Sequence, residues 1–224
     1  MPEYITTFSG SHFYPMRPDA DAIHIRDIAH ALPMICRGNG HVNRFFSVGQ
    51  HCIFCAREAE ARGHSVRTIL ACLLHDAGEC YMSDVPRPFK QQLPRYNELE
   101  DMLLEIIYTK YLFTPLTEEE RASVRAIDDD LLYYDLTVLL NEPKSDTPPK
   151  IYSSISYDFV PFESVTEQYL ALFYHYAAIV ALNFAQERIL TLPADTISNL
   201  NKIASHSLQR AEQLGYPVQT VNNI

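Results

Sequence analysis

The 224-residue sequence has no tryptophan, only seven glycines and no long apolar segment. A membrane-spanning helix needs about 18 or more consecutive apolar residues, and no segment approaches that length. The N-terminus also lacks a basic region followed by an apolar core, so no signal peptide is predicted. These absences predict a cytoplasmic protein that does not associate with a membrane.

Positive charge is scarce as well. The sequence holds 18 lysines and arginines against 28 aspartates and glutamates, which gives a formal net charge of −10. A protein with this balance is not expected to wrap duplex nucleic acid or to bind an anionic membrane. A small anionic substrate is compatible with it, provided that a few basic residues line one pocket.

Cysteine occurs in an odd number, at positions 36, 52, 55, 72 and 80. All five lie within apolar helical patterns, so we expect reduced, buried thiols. The Cys52-x-x-Cys55 pair could suggest zinc or redox chemistry. However, no second CxxC is present and the pair falls inside a predicted helix, so core packing is the preferred interpretation.

The length and the hydrophobic fraction of 47% predict one domain with a substantial core. Apolar residues recur mainly at helical spacing, whereas strand-like alternation is scarce. We therefore expect a compact all-α bundle with an irregular N-terminal arm over residues 1–20, which can include a short strand near residues 4–8. The helical core should cover about residues 20–140, and a C-terminal helical extension should cover about 161–215 after a proline-rich loop.

Capping residues predict where several helices begin. Ser47 and Ser65 can each cap a helix, and Thr117 with Glu120 forms a capping box. Asp19 or Asp21 can cap the first helix, which Pro33 should kink or end. The segment 37–41 is then expected as the C-terminal cap of that helix. Further helices are predicted over about 95–112, 118–140, 163–191 and 194–214.

Residues 73–84, with the sequence LLHDAGECYMSD, concentrate one histidine and three carboxylates at the end of a predicted helix. His75 and Asp76 can offer an imidazole and a carboxylate to the same divalent ion. Glu79 lies within one helical turn of both residues, and Asp84 follows before a proline-rich segment. A mixed histidine and carboxylate set suits a borderline or hard ion. An isolated His-Asp pair is common by chance, so this hypothesis requires further ligands.

Two further candidates fall on the apolar faces of predicted helices. His51 alone would be interpreted as a hydrogen-bonded core histidine. Asp128 is less easily explained, because a buried carboxylate is unfavourable unless it is paired or metal-bound. Together with His75 and Asp76 they would supply four ligands from three helices, an arrangement that bundle interiors accommodate.

The order His51…His75-Asp76…Asp128 resembles that of the HD-domain metal-dependent phosphohydrolases. It is most similar to the small 5'-deoxynucleotidase and phage-type members, over about residues 5–140. The HD doublet alone is a weak signal. The motif HDAxE followed by Asp and Pro-x-Pro-x-x-Lys, with an upstream Arg and His, is more specific. The segments that carry the resemblance are Asp27–Leu32, Cys36-Arg37, Ser47–His51, His75–Glu79 and Asp84–Lys90.

This resemblance implies an HD-type bundle that binds one divalent metal ion, with Mn, Co, Fe, Zn, Mg or Ni as candidates. The implied metal ligands are His51, His75, Asp76 and Asp128. The last ligand of the family precedes an acidic residue of the same helix by seven positions, and Asp128 and Asp135 have that spacing. Residues 128–130 are all aspartate, so the sequence can also be matched to the family one position later. Asp129 is therefore the alternative ligand.

The resemblance also implies roles at the substrate. Glu79 and Asp84 would assist hydrolysis, and Arg37 would bind the phosphate. Arg44 and Lys90 are further phosphate candidates, for which solvated surface charge is an equally good interpretation. Gly38 stands where these family members have tryptophan, so their sugar and base contacts do not carry over.

We therefore expect a metal-dependent phosphohydrolase acting on nucleotides, most simply a 5'-nucleotidase of deoxynucleoside monophosphates. One alternative is a dNTP triphosphohydrolase, which would need more basic residues near the pocket. Another is a non-catalytic regulator that binds metal or nucleotide, in which Glu79 and Asp84 would have no role. The expected partner is a small phosphorylated substrate, and the aromatic C-terminal helices could bury a homodimer face.

Overall fold

Helices dominate the computed structural model, which describes residues 3–217 and confirms the all-α class. A hairpin of two short strands, β1 (Ile5–Thr6) and β2 (His12–Phe13), pairs Ile5 with Phe13 near the N-terminus. No helix within residues 3–217 combines the length and the apolar character needed to cross a membrane. The helices are α1 (Ile25–Ala31), α2 (Val48–Ala61), α3 (Val66–Leu74), α4 (Glu79–Met82), α5 (Arg87–Lys90), α6 (Pro94–Leu112), α7 (Glu118–Leu139), α8 (Phe162–Glu187) and α9 (Ala194–Gln213).

The predicted caps of three helices are confirmed. The Ser47 hydroxyl accepts a hydrogen bond from the Gln50 backbone, and the Gln50 side chain accepts one from the Ser47 backbone at the start of α2. Thr117 and Glu120 make the same reciprocal pair at the start of α7. Ser65 accepts from the backbone of residue 68 at the start of α3. These caps satisfy backbone N–H groups that have no partner within the helix.

The region before α2 differs from the prediction in two places. Asp19 caps a short 3-10 turn at Ala20–Ala22, whereas α1 begins after His24 without a side-chain cap. The segment 37–41 was expected to end the first helix, and this was wrong. A 3-10 segment containing Pro33 already ends that helix, and the chain extends again before Arg37–Gly40 forms a separate 3-10 turn.

Helix α3 lies at the centre of the bundle. It packs against α2, α6, α7 and α8, and every residue from Thr68 to Leu74 is buried. From residue 69 to residue 74 its sequence is apolar on all sides, as expected of a helical segment with no solvent-facing surface. Helix α8 packs into the same core through Tyr169 and Leu172, and α9 packs along α8. The His75-Asp76 doublet therefore follows directly from the buried C-terminal part of this helix.

The cysteines are all unpaired, as predicted. Cys52, Cys55 and Cys72 are buried, whereas Cys36 and Cys80 are only partly buried. The expectation of buried thiols therefore holds for the three cysteines on α2 and α3.

Buried Glu58 of α2 anchors the long loop over residues 140–161. Its carboxylate accepts hydrogen bonds from the backbone N–H groups of Tyr152 and Ser153, at 3.0 and 2.8 Å, and from the Ser153 hydroxyl at 2.6 Å. Arg62 Nε donates to the same carboxylate at 2.7 Å. From α7, the Tyr134 hydroxyl donates to the carbonyl oxygen of Pro149. The loop is thus held by a charged group inside the fold.

We predict that Glu58→Gln lowers the free energy of unfolding at pH 7 by about 3 kcal/mol, because it removes one partner of a buried ion pair. The exposed Glu167→Gln should change it by less than about 0.5 kcal/mol. Burial opposes ionisation of Glu58, but hydrogen bonds from Ser153 and Arg62 lower its pKa below the usual 4.5. The stability that ionised Glu58 contributes is therefore fully present above pH 4.5, and it is lost as the pH falls through the lowered pKa. Urea unfolding of both variants tests this, and a difference that persists undiminished at pH 3 would contradict it.

Candidate metal centre

A cleft of about 530 Å³ opens beside the end of α3. One part of its lining is charged, and the other part is apolar. The charged residues are Arg37, Asp76, Glu79, Asp84, Arg87, Lys90, Asp128 and Asp135. The apolar residues are Val42, Val85, Pro86, Pro88, Leu132, Leu136, Leu139 and Leu140. Of the predicted site residues, His51, His75 and Arg44 do not line this cleft.

His51 reaches the centre from the first turn of α2, where the Ser47 cap fixes its position. Its side chain is 1% exposed. The Nε2 atom lies 3.0 Å from Asp128 Oδ1, and the Nδ1 atom lies 3.0 Å from Asp135 Oδ2. Both carboxylates belong to α7 and are separated by about two turns. His51 therefore contacts one carboxylate through each ring nitrogen.

His75 approaches the same place from the end of α3. Its Nδ1 atom donates to the carbonyl oxygen of Cys72 at 2.8 Å, which orients the ring. Its Nε2 atom lies 3.2 Å from Asp76 Oδ2 and 3.6 Å from Asp128 Oδ1. This nitrogen is buried, yet among residues 3–217 it has no hydrogen-bond partner of acceptable geometry. A buried polar atom without a partner is unusual, and here it faces two carboxylates.

These distances fit a divalent ion held by His51, His75, Asp76 and Asp128. Ligands bound about 2.0–2.1 Å from one ion lie roughly 2.9–3.4 Å apart, close to the observed nitrogen–oxygen separations. Burial opposes ionisation of Asp76, but the neighbouring His75 lowers its pKa to about 2. The hydrogen bond from His51 and the charge of the nearby His75 likewise hold the pKa of Asp128 well below its usual value despite burial. The carboxylates are thus ionised at neutral pH, as metal ligands must be.

Buried thiols approach the same imidazoles. Cys55 Sγ lies 3.4 Å from His51 Nε2. Donor atoms of His51, Cys55 and His75 all lie within 4.8 Å of one another, and the same holds for Cys52, His75 and Asp76. Core packing alone is therefore an incomplete description of the CxxC pair. The signal in the sequence is the four-residue spacing of His51 and Cys55, which places them on one face of α2.

Asp135 has a larger part in the site than its sequence position suggested. The Arg37 guanidinium donates to its Oδ2 atom through Nη2 at 3.1 Å and Nε at 3.3 Å. The Tyr157 hydroxyl, from the long loop, donates to Oδ1 at 3.0 Å. Asp135 thus joins His51, Arg37 and Tyr157. Carboxylates that contact the second nitrogen of a metal-binding histidine typically fix its ring and tautomer.

The three residues predicted to bind phosphate differ in their position relative to the cleft. Arg37 lines the cleft, and its Nη1 atom lies 3.5 Å from Asp76 Oδ2. Lys90 also lines the cleft, but its ammonium group is bonded to Glu100 at 2.7 Å. Arg44 is exposed and donates to the side chain of Asn43. Arg37 is therefore the predicted cation that stands directly beside the candidate ligands.

Arg87 was not predicted as a site residue. Its contacts show how Asp128 and Asp129, which are neighbours on α7, differ in their surroundings. It donates to Asp128 Oδ2 at 3.3 Å and to Asp129 Oδ1 at 2.8 Å. The side chain of Asp129 is 59% exposed, whereas Asp128 turns its other oxygen toward both histidines. Asp128 is therefore the residue of this run that the fold brings to the centre.

Glu79 and Asp84 both line the cleft, close to Asp76. Glu79 is buried, and within the described residues its Oε2 atom has no hydrogen-bond partner. Burial, together with the charges of Asp76 and Asp84, raises the pKa of Glu79 well above its usual value. Burial also raises the pKa of Asp84, although Arg37 opposes this. Glu79 therefore retains a proton more readily than an ordinary carboxyl group, and it does so next to the candidate ligands.

We predict that Asp135→Asn weakens binding of Mn²⁺ by about 10–100-fold, because the amide no longer holds His51 and Arg37 by charge. Asp129→Asn is the matched control, since it removes an acidic group from the same helix outside the centre. Titration calorimetry of both metal-free variants gives the affinities, and circular dichroism verifies that they are folded. Equal affinities for the two variants would exclude this role for Asp135.

No family model matches the chain. Over 113 residues it is 39% identical to the uncharacterized protein YfdR of Escherichia coli (strain K12), covering 50% of this chain and 61% of that protein. It is also 34% identical over 109 residues to the uncharacterized protein RCAP_rcc00048 of Rhodobacter capsulatus, covering 46% of this chain and 55% of that protein. The chain therefore spans less than two thirds of the length of either relative, and neither name states an activity.

Proposed function

We propose that this protein is a metal-dependent phosphohydrolase of the HD-domain type that acts on nucleotides. The most direct form of the proposal is removal of the 5'-phosphate from deoxynucleoside monophosphates. One observation carries it: four metal-ligand candidates lie together, and two of them line the same cleft as one arginine and one buried glutamate. These residues are His51, His75, Asp76, Asp128, Arg37 and Glu79.

A divalent ion held by the two histidines and two aspartates would polarise a phosphoryl oxygen and lower the pKa of a water molecule. Arg37 supplies the positive charge that a phosphate requires, and its planar guanidinium suits two phosphate oxygens. Its contact with Asp135 fixes the direction of the side chain. Arg37 thereby keeps a donor at the cleft beside Asp76.

Glu79 is the best candidate for the proton donor. Hydrolysis of a phosphate ester breaks the bond between phosphorus and the ester oxygen. That oxygen is the leaving group, and it leaves more readily when it receives a proton. A carboxyl group with a raised pKa retains that proton more readily, and the Oε2 atom of Glu79, which has no hydrogen-bond partner within residues 3–217, can deliver it. Asp84 lies nearer the solvent and can exchange the proton between Glu79 and water.

The apolar lining supports a nucleoside as the remainder of the substrate. Leu132, Leu136, Leu139 and Leu140 present an apolar surface to the same cleft as the charged residues. Gly38 leaves this surface accessible, since a Cβ atom there would lie 3.5 Å from Val42 and 3.7 Å from Leu140. A ring with two apolar faces matches this surface better than a bare phosphate does.

The charge of the cleft favours a monophosphate over a triphosphate. Five carboxylates line it, against three cations. Each of those cations already contacts a carboxylate: Arg37 contacts Asp135, Arg87 contacts Asp128, and Lys90 contacts Glu100. A dNTP triphosphohydrolase would have to bind a substrate with several more negative charges among these five carboxylates. A non-catalytic regulator would leave the buried Glu79, with its raised pKa, without a role.

We predict metal-dependent release of phosphate from deoxynucleoside monophosphates, and a loss of kcat of about 10²–10⁴-fold in Glu79→Gln. The exposed Glu98→Gln serves as the control and should retain the activity of the unmodified protein. The assay compares dNMPs, NMPs and dNTPs with Mn²⁺, Co²⁺, Zn²⁺, Mg²⁺ or no metal. Calorimetry should show that Glu79→Gln still binds the ion, since Glu79 is not among the four ligands.

Three outcomes would change the proposal. Release of tripolyphosphate from dNTPs would assign the triphosphohydrolase activity instead. Tight binding of metal and nucleotide without hydrolysis of any substrate would support a regulator. Full activity of Glu79→Gln would remove Glu79 from the reaction while leaving the substrate assignment in place.

A further inference from the structure

Cys55 lies one helical turn after His51 on α2, so the two side chains point to the same side of the helix. Its side chain is almost fully buried, and Sγ lies 3.4 Å from the Nε2 atom that His51 turns toward the candidate centre. His75 contributes a second imidazole, with donor atoms of the three residues within 4.8 Å of one another. A thiol thus stands at the metal-facing nitrogen of one candidate ligand.

The hydrogen bonds available to His51 do not account for this arrangement. An imidazole nitrogen offers either one hydrogen or one lone pair. If Nε2 carries a hydrogen, it donates to Asp128 at 3.0 Å and cannot also accept the thiol hydrogen of Cys55. If Nε2 carries a lone pair, it can accept from Cys55 but then faces the ionised carboxylate of Asp128 without a hydrogen. A cation among the three atoms satisfies all of them.

The distances are compatible with such a cation. Sulfur and nitrogen bound to one Zn²⁺ ion at about 2.3 and 2.0–2.1 Å lie about 3.6 Å apart at a tetrahedral angle. The observed separation of Cys55 Sγ and His51 Nε2 is 3.4 Å. His75 Nε2 adds an independent indication, because its side chain is 7% exposed and within residues 3–217 this nitrogen has no hydrogen-bond partner.

We propose that Cys55 is a further ligand of this metal centre and that its thiolate makes the centre selective for thiophilic ions such as Zn²⁺ and Co²⁺. On binding, the Sγ–H bond breaks, the proton passes to solvent and Sγ bonds to the ion without electron transfer. Thiolate and imidazole donors favour these ions over Mg²⁺ and Mn²⁺. The inference depends on the metal centre of the proposed function, and it is independent of the substrate and of hydrolysis.

The test is a Co²⁺ titration of the metal-free protein, followed by near-ultraviolet absorption, where a sulfur-to-cobalt charge-transfer band reports a bound thiolate. The unmodified protein and Cys52→Ser should show the band, and Cys55→Ser should lose it. Cys52 is the matched comparison, because it is a buried cysteine of the same helix that also lies near His75. Zn²⁺ affinity should fall by an order of magnitude or more in Cys55→Ser, whereas Mn²⁺ affinity should change little.

The outcomes separate this inference from the proposed function. Co²⁺ binding without the band in the unmodified protein would overturn Cys55 ligation and leave the four-residue centre intact. Loss of the band in Cys52→Ser alone would also overturn it. No Co²⁺ binding at all would remove both the centre and the inference. X-ray absorption of the Co²⁺-loaded unmodified protein shows without a variant whether any thiolate is bound, since a bound thiolate adds a sulfur shell, and absence of that shell would overturn Cys55 ligation.

Discussion

The buried carboxylate of Asp135 is the constraint on which the geometry of the cleft depends. It is held by His51 of α2, by Arg37 of a 3-10 turn and by Tyr157 of the long loop. A buried charge is unfavourable unless it is paired and hydrogen-bonded, so folding must bring these segments together. Arg37 and Asp135 are 98 residues apart in the sequence. Satisfying this one charge places an imidazole and a guanidinium beside the same cleft.

The long loop over residues 140–161 links this site to the stability of the fold. One carboxylate of α2, that of Glu58, binds the backbone of the loop, and the loop returns Tyr157 to Asp135. The same helix carries His51 one turn from its capped start and Cys55 one turn further. Helix α2 therefore combines the anchoring of the loop with the positioning of donor atoms.

Features that depend on local periodicity could be predicted from the sequence. Contacts between segments that are distant in the sequence could not. The capped starts of α2, α3 and α7 were predictable, because capping involves residues three positions apart. His51 and Asp128 were recognisable, since a polar group on an apolar helix face requires an explanation. The partners of Asp135, the contact of Arg87 with Asp128 and the nearness of Cys55 to His75 involve separate segments. For the same reason, charge alone could not separate Arg37, which lines the cleft, from Arg44, which does not.

The most direct test of this account is a crystal structure of the zinc-loaded protein, with diffraction measured on both sides of the zinc absorption edge. The account predicts one strong anomalous peak beside the cleft, bonded to Nε2 of His51, Nε2 of His75 and the carboxylates of Asp76 and Asp128, with Sγ of Cys55 as a further ligand. It would be contradicted by zinc bound only at other places on the molecule. It would also be contradicted if both carboxylates kept their arginine contacts and took no part in binding the ion.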